Sequence, residues 1–480
     1  MTTIPIGTVG LILLLSNANW SFAQAAPDSR DRPWASPAGP QFARDAQRLP
    51  DSRLKIDPSK VYTLAELIDF AEAQNPLTRV AWENASARAA ALGIARSELY
   101  PTLAAVAFAG VTRDAIPFQT DFFLQTLPAL EATLELQYTV FDFGGRAGRI
   151  AAAGARALAA NFGFNDAHRK VINQVEQAYY RLLNSMGQEQ AARASLANAQ
   201  TVQEAVEERL KHGLATLPDV LEARSATAQA QYDLQVVLGA EEIARGDLAT
   251  SLNVPPSTII RVQPLGELKI PDSISDDVEQ AINRAFEQRP DLLAGVAEIR
   301  VSDATAKEAR SAFFPNLSLR ITPSAQSLFL RQVGFPWVHR NLLLGEFSFN
   351  LNWNVFDGGA RRNRLTEAVA ETREAEARVG VTRDQIADEV WTAYANFNTA
   401  LRQRTAAVAF LDAATKSYEA SLESYKYGLR NFLDVTATQK TLARARSTDV
   451  FARIQILSAL ADLAFRVADS IQPRARSKQP

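Results

Sequence analysis

Two hydrophobic periodicities alternate along the chain and predict the order of its elements. Long segments rich in Ala, Glu, Gln, Arg and Leu are interrupted by short runs in which apolar and polar residues alternate one by one. A period of 3.6 residues is typical of amphipathic helices, and a period of 2 is typical of strands with one apolar face. The predicted order is short helix, helix, strand, strand, long helix, helix, and it occurs twice.

The two occurrences align at a nearly constant shift, which indicates a duplicated unit. Segment 136–142 (Leu-Gln-Tyr-Thr-Val-Phe-Asp) corresponds to 351–357 (Leu-Asn-Trp-Asn-Val-Phe-Asp) at a shift of 215 residues. A shift held over more than 100 residues is the signature of a structural repeat. We predict a first repeat at 63–270 and a second at 271–471.

Each repeat contains one predicted helix that is too long for an ordinary globular core. Segments 146–212 and 361–427 contain no proline, and each is followed by glycine, the residue that most often closes a helix. At 1.5 Å per residue each would be roughly 100 Å long. Two shorter helices, at about 218–252 and in the following repeat at 291–313, would together nearly match that length. Antiparallel coiled-coil pairs of one long and two half-length helices are therefore expected.

The start of each repeat carries a helix-capping pattern. Thr63 and Glu66 have the spacing of a capping box, and Asp276 and Glu279 form its counterpart in the second repeat. In such a box the side chains of the first and last residue each accept from the backbone N–H of the other.

The alternating runs predict four strands, at about 103–112, 130–140, 316–325 and 346–355. The second strand of each pair has large apolar groups on one face and only polar groups, glutamates included, on the other. Runs of 8 to 11 residues fit tilted strands that cross a membrane, with the polar face towards a watery lumen. Apolar and polar residues also alternate in a half-buried strand of a soluble β-sandwich, which is the alternative interpretation. The connecting segments 112–129 and 326–345 are expected to be loops outside the barrel.

Four strands cannot close a barrel, because about eight is the practical minimum. An open sheet edge cannot lie in lipid, where its backbone groups have no partner. The chain is therefore expected to oligomerise. A dimer would supply eight strands and a trimer twelve.

The N-terminal segment indicates export. Residues 1–23 contain an apolar run of about 12 residues followed by small residues, which predicts a signal peptide, although no basic residue precedes the run. An ordinary buried apolar N-terminus is the alternative. Residues 24–62 are expected to be an extended or disordered lead, and 472–480 a disordered tail.

Composition excludes several classes of function. The chain has no cysteine, so disulfides, thiolate chemistry and a lipid anchor on cysteine are not expected. The net charge of −2, from 51 basic and 53 acidic residues, argues against a nucleic-acid partner. The three histidines, at 168, 212 and 339, lack metal-ligand spacing. We therefore expect no metal, no cofactor and no enzyme activity.

Two motifs, each present twice, carry a family resemblance. Segments 141–146 (Phe-Asp-Phe-Gly-Gly-Arg) and 356–361 (Phe-Asp-Gly-Gly-Ala-Arg) follow the second strand of each repeat, and segments 213–220 and 428–435 share Gly-Leu-x-x-x-x-Asp-Val. In this order the chain resembles the TolC-like outer membrane efflux proteins, or outer membrane factors, over about 63–471.

The resemblance implies a mainly α fold with a small transmembrane β portion. The duplicated unit would form a homotrimer with a 12-stranded β-barrel in the bacterial outer membrane and a long α-helical coiled-coil tunnel in the periplasm. The implied partners are outer membrane lipid, a periplasmic adaptor and an inner membrane transporter of the resistance–nodulation–division (RND) or ABC type. The implied function is the outer membrane channel of a tripartite efflux or type I secretion system. A soluble periplasmic coiled-coil scaffold without a pore is the alternative.

The resemblance also assigns a gate at the turn between the last two helices. Tyr425, Arg430 and Asp434 match the family residues that hold the tunnel closed and select cations, and Asp219 is the expected hydrogen-bond partner of Tyr425. Three copies of Asp434 on a narrow axis would form an anionic ring. Ala437 stands where some members carry a second aspartate. Ordinary helix capping by Asp219 and Asp434 is the alternative.

Glycines mark two further kinds of turn. Gly213, Leu214, Gly428 and Leu429 are candidate adaptor contacts at the helix-to-helix turns, or simply turn residues. Where strands lead into the long helices, glycine pairs are expected to allow the required backbone angles, with an aspartate capping the helix. A phosphate-binding loop is disfavoured because the Walker lysine is absent. These strand-to-helix glycines are Gly144, Gly145, Gly358 and Gly359.

Overall fold

The computed structural model describes residues 39–47, 56–118, 121–264, 266, 277–332 and 336–468. The chain divides into two units, Met1–Arg53 and Leu54–Pro480. In the first unit α1 (Gly39–Gln47) is helical, so the prediction of an extended or disordered lead is wrong for these residues. Its proline lies in the first turn, where the missing N–H is harmless. The predicted signal peptide and C-terminal tail lie outside the described residues.

The second unit contains the predicted order of elements twice. Each copy has two shorter helices, two strands, a long helix and a returning helix, and a two-residue strand in each copy forms a parallel pair that the sequence did not predict. The elements in chain order are β1 (Val61–Tyr62), α2 (Leu64–Gln74), α3 (Pro76–Ser97), β2 (Thr102–Phe118), β3 (Asp121–Phe141), α4 (Gly145–Lys211), α5 (Leu217–Ser251), β4 (Arg261–Val262), α6 (Val278–Gln288), α7 (Pro290–Ser311), β5 (Asn316–Gln332), β6 (Val338–Asn352), α8 (Ala360–Lys426) and α9 (Phe432–Val467).

The two long helices, α4 and α8, each have 67 residues, and both begin one residue before the predicted start. Both end at a glycine in the left-handed region, with φ of 71° at Gly213 and 76° at Gly428. After each glycine the next N–H bonds back into the last helical turn, from Leu214 to the Arg209 carbonyl at 2.8 Å and from Leu429 to the Ser424 carbonyl at 2.9 Å. This is the Schellman arrangement, which satisfies the last carbonyl groups of a helix.

The half-length helices stack within one repeat, not between repeats. At the end of α5 the Asn75 side chain donates to the Ser251 carbonyl (3.5 Å), and Asn253 donates to the Gln74 carbonyl (3.2 Å), so α5 meets the start of α3. At the end of α9 the Arg289 guanidinium donates to the Arg466 carbonyl (3.4 Å), so α9 meets the start of α7. The expected stacking of the first returning helix on the helix of the following repeat is therefore wrong.

One predicted capping box is present, and the other differs. Thr63 N–H donates to the Glu66 carboxylate (3.0 Å), and Glu66 N–H donates to the Thr63 hydroxyl (3.3 Å). In the second repeat Asp276 lies outside the described residues, and the N-cap of α6 is Asp277, whose side chain makes no capping hydrogen bond. The two adjacent aspartates made the helix start ambiguous by one residue.

Gly187 marks a close approach of α4 to α9. A Cβ at this position would lie 2.5 Å from Cγ1 of Val450. We expect Gly187→Ala to lower the free energy of unfolding by about 1–3 kcal/mol through overpacking, and Val450→Ala added to it to restore part of the loss. Thermal unfolding in detergent measures both. Gly163, on the same helix with nothing within 4 Å, is the control, since alanine there should stabilise by about 1 kcal/mol. Equal losses at the two positions would contradict the packing argument.

The four longer strands form one antiparallel sheet in the order β2-β3-β5-β6. Pairing continues to Phe118 opposite Asp121 and to Leu330 opposite Val338. Most of the expected loops at 112–129 and 326–345 are therefore strand, and that expectation is wrong. A 21-residue strand such as β3 spans about 70 Å, well beyond a hydrocarbon core of about 30 Å even when tilted. Among the described helices, none is long and apolar enough to cross a membrane.

Candidate functional site at the helical turns

The two helix-to-helix turns lie side by side, and Arg209 joins them. From the last turn of α4 its Nη1 donates to the carbonyls of Tyr425 (3.0 Å) and Lys426 (3.3 Å) at the end of α8. The guanidinium carbon also lies 4.6 Å from the centroid of the Tyr425 ring. A cation is favoured at the carbonyl end of a helix, where the dipole is negative. Arg209 thus links the two repeats at their turns.

Sequence reasoning missed Arg209. Its counterpart at a shift of 215 residues is Ser424, so the two repeats differ in charge at this point of otherwise matching turns. That break in the repeat is the signal that could have identified it.

Tyr425 is a buried component of the same contact. Its side chain is only 6% exposed, it packs edge to face on Phe432 with centroids 6.1 Å apart, and both belong to an apolar cluster with Val206 and Val220. Burial raises the pKa of the Tyr425 phenol, the Arg209 charge opposes this rise, and the Asp219 carboxylate adds to it. The phenol is therefore neutral at physiological pH.

Asp219 is used in a capping box. Its Oδ2 accepts from the N–H of Thr216 (2.9 Å) and from the Thr216 hydroxyl (2.7 Å), and its own N–H donates to that hydroxyl (3.4 Å). Among the described side chains no hydrogen bond joins Asp219 to Tyr425, so the expected pairing is wrong in this conformation. The capping interpretation of Asp219 is confirmed.

Asp434 differs from its counterpart Asp219 because no described hydrogen bond joins its carboxylate to the N-cap residue of its helix. Asn431 is the N-cap of α9, and its Oδ1 accepts from the Asp434 N–H at 2.9 Å. The Asp434 carboxylate is half-buried and is not used as a cap. Arg430 is exposed, and in the described part of the chain it makes no ion pair with Asp434 and no hydrogen bond with Tyr425. Of the four predicted gate residues, Tyr425 and Asp219 interact electrostatically, since the Asp219 charge contributes to the raised pKa of Tyr425.

The turns present apolar side chains to solvent. Leu214 is 65% exposed and Leu429 is 79% exposed, each directly after the left-handed glycine that closes its long helix. The residue at this position of a Schellman motif often packs on the last helical turn, but here both leucine side chains are mostly exposed. Both leucines are therefore available to a partner at the same end of the coils.

At the opposite end of the long helices the strand-to-helix turns use left-handed glycines as predicted. φ is 96° at Gly144, 92° at Gly359 and 65° at Gly358. Gly145 is the first residue of α4, where a Cβ would come 2.9 Å from the Ser311 hydroxyl. Phe143, the counterpart of Gly358, adopts φ of 52°, an uncommon angle for a residue with a side chain.

Aspartates cap these helices and arginines tie them to the strands. Asp142 Oδ2 accepts from the Arg146 N–H at 2.5 Å, and Asp357 Oδ2 accepts from the Arg361 N–H at 3.1 Å. The Arg361 guanidinium donates to the Val355 carbonyl, and that of Arg146 to the Val140 carbonyl. The turns thus have a structural role, which agrees with the absence of a phosphate-binding pattern.

A duplicated unit with an alternating antiparallel sheet and helices of 67 residues is the architecture of an outer membrane channel that extends into the periplasm. The chain belongs to the outer membrane efflux protein family, whose model matches residues 67–254 and 281–467. This family comprises transport proteins, not enzymes. The soluble scaffold has no support.

Individual relatives agree with this assignment. CyaE of Bordetella pertussis is 28% identical over 394 residues, covering 82% of this chain and 81% of the relative. The pyoverdine export outer membrane protein OpmQ of Pseudomonas aeruginosa is 26% identical over 339 residues, covering 69% and 68%. The crystal structure of the outer membrane protein VceC of Vibrio cholerae has the same fold, with a TM-score of 0.69 at 19% identity, covering 90% of this chain and 99% of VceC.

Proposed function

We propose that three copies of this chain form one outer membrane channel that works with a periplasmic adaptor and an inner membrane transporter in efflux or type I secretion. The supporting observation is the sheet itself, whose two edge strands, β2 and β6, have no partner on their outer sides within the described chain. Backbone groups in lipid must be paired, so each edge pairs with a neighbouring copy. Three copies give twelve strands.

The helical turns are the proposed contact with the adaptor. Leu214 and Leu429 are exposed on adjacent turns, held side by side by Arg209. Exposed apolar groups on rigid, closed helix ends suit a protein partner better than solvent. OpmQ is named for pyoverdine export, which supports a role in export for this chain.

The same turns are the proposed gate. Asp434 supplies an uncapped carboxylate, Tyr425 supplies a neutral buried ring, and Arg209 holds the end of α8 against α4. Arg430 is exposed and takes part through a contact formed between copies. Asp219 acts by fixing the start of α5 and by its charge near Tyr425.

Cysteine cross-linking tests the trimer, since the native chain has no cysteine. One cysteine on β2, at Leu103, is combined with a series on β6 from Phe347 to Leu351, because the register between copies is unknown. We expect oxidation of one combination to give covalent dimers and trimers in denaturing gels.

The control is a cysteine pair that joins strands within one chain. Thr133 and Ser324 are register partners on β3 and β5, so Thr133→Cys with Ser324→Cys should leave monomer mobility after oxidation. A ladder that stops at two chains would favour an eight-stranded dimer. Recovery of the protein in the soluble periplasm would contradict the channel.

A further inference from the structure

The polar face of the sheet contains a recess that the gate does not use. On the inner strand β3, Leu130 and Leu134 are 54% and 47% exposed, whereas Glu131 and Thr133 on the other face are half-buried. The sheet curls into a half-barrel, and the lower exposure of Glu131 and Thr133 is what the concave side of such a sheet would give. A cavity of about 600 Å³ lies there. In the proposed channel this is the lumen side.

One row of residues crosses all four strands at the recess. Phe108 pairs with Glu131, Glu131 with Gln326, and Gln326 with Leu342. Directly opposed residues share a face, with Cβ atoms about 5 Å apart. The row therefore places an aromatic ring, a carboxylate, an amide and an aliphatic side chain next to one another, and all four line the cavity.

The position of the Phe108 ring requires a glycine at position 110. Gly110 is two residues along β2 on the same face, and the ring lies over it so that a Cβ at Gly110 would clash with the ring. Glycine in a strand often marks such a close approach. The ring can therefore lie along the strand over Gly110 only because that residue has no side chain.

Glu131 carries a charge without a cationic partner. Its Oε1 accepts from the Thr133 hydroxyl at 2.9 Å, and no described basic side chain forms an ion pair with it. By register the nearest arginine on this face is Arg340. It lies on β6, two strands away from Glu131, and two residues along that strand from Leu342. The separation from Glu131 is roughly 12 Å between backbone positions from strand spacings, and no described ion pair joins the two side chains.

We propose that this recess binds hydrophobic organic cations. A carboxylate attracts the positive charge, and the face of an aromatic ring attracts a cation through its quadrupole. Leu342 and the Phe108 ring provide apolar surface, which a small hydrated metal ion would not need. An organic anion is repelled by Glu131. The proposal rests on the channel proposed above, because the recess must face the lumen to meet a substrate.

Single-channel recording in planar bilayers tests the recess. The probe is benzyltriethylammonium, added to the chamber that faces the barrel end of the channel. We expect Glu131→Gln and Phe108→Ala each to raise the half-blocking concentration about tenfold. Phe108→Leu keeps apolar volume and should still weaken block severalfold. Tetramethylammonium lacks the benzyl ring and should block the wild type more weakly, but its block should still be weakened by both Glu131→Gln and Phe108→Ala, because its charge meets the carboxylate and the ring face. Benzenesulfonate should not block the wild type at these concentrations.

Glu135→Gln is the matched control. Glu135 lies on the same strand and face as Glu131, four residues further, and is exposed, so its removal should change the half-blocking concentration less than twofold if block depends on the recess. Equal effects at the two glutamates, or unchanged block in Phe108→Ala, would overturn the proposal. The unblocked conductance of each variant is recorded first. Absent conductance in the wild type would instead contradict the channel, and heat-modifiable gel mobility shows whether a silent variant has assembled.

Discussion

Replacing Asp434 with alanine is expected to abolish most of the cation preference of the channel. Among the described residues the Asp434 carboxylate makes no capping hydrogen bond, and the N-cap of its helix is Asn431, which accepts the Asp434 N–H. Three such carboxylates converging on a narrow axis would attract cations and repel anions. Reversal potentials across a salt gradient in planar bilayers measure the preference. Block by divalent cations should weaken at the same time.

Asp219→Ala is the control for this prediction. Asp219 is the counterpart of Asp434 in the first repeat, but its Oδ2 accepts from Thr216 within the capping box. Its loss should cost about 1 kcal/mol of helix stability and leave most of the ion selectivity intact. If Asp434→Ala kept its selectivity, or if both variants lost it equally, the anionic ring would not be formed by Asp434.

Replacing Arg209 with alanine is expected to favour the open state of the helical turns. Its guanidinium bonds two carbonyls at the end of α8 and lies over the Tyr425 ring. Hydrogen bonds to a charged group contribute about 1.5–3 kcal/mol, which corresponds to roughly a 10- to 150-fold shift in a two-state equilibrium. Single-channel recordings should show a higher open fraction. Arg209→Lys should recover only part of the effect, because lysine lacks the planar fork.

Arg224 provides the matched control at the same end of the coils. It pairs with Glu207 at 2.8 Å, but its side chain is 59% exposed, and exposed ion pairs contribute only about 0–1 kcal/mol. Arg224→Ala should therefore change the open fraction little. An unchanged open fraction in Arg209→Ala would show that the contact does not restrain the gate.

Local signals in the sequence predicted the ends of the long helices to within one residue. Gly213 and Gly428 are both left-handed, and the glycine preference for this region acts within a few residues. The glycine before each long helix is an equally local signal. Such features are predictable because each depends on the backbone of a single turn.

Features that depend on distant contacts were not predictable in this way. The outer parts of the strands are strand because a hairpin partner pairs them, as Phe118 opposite Asp121 shows, whereas their own alternation is weak. The helix on which α5 stacks could not be assigned from lengths, because α3 and α7 both have 22 residues. Either helix, added to α5, would nearly match a long helix. Arg209 meets Tyr425 across 216 residues of chain.

The equal length of α4 and α8 has a consequence for symmetry. In a threefold assembly, two adjacent turns per chain produce a ring of six turns that approximates sixfold symmetry in its backbone but not in its chemistry. Three of the turns carry His212 before the glycine and a carboxylate occupied in capping, and the other three carry Tyr427 and an unoccupied carboxylate. A partner that contacts all six turns therefore meets two alternating surfaces, and a ring of six identical partner chains must bind in two non-equivalent ways.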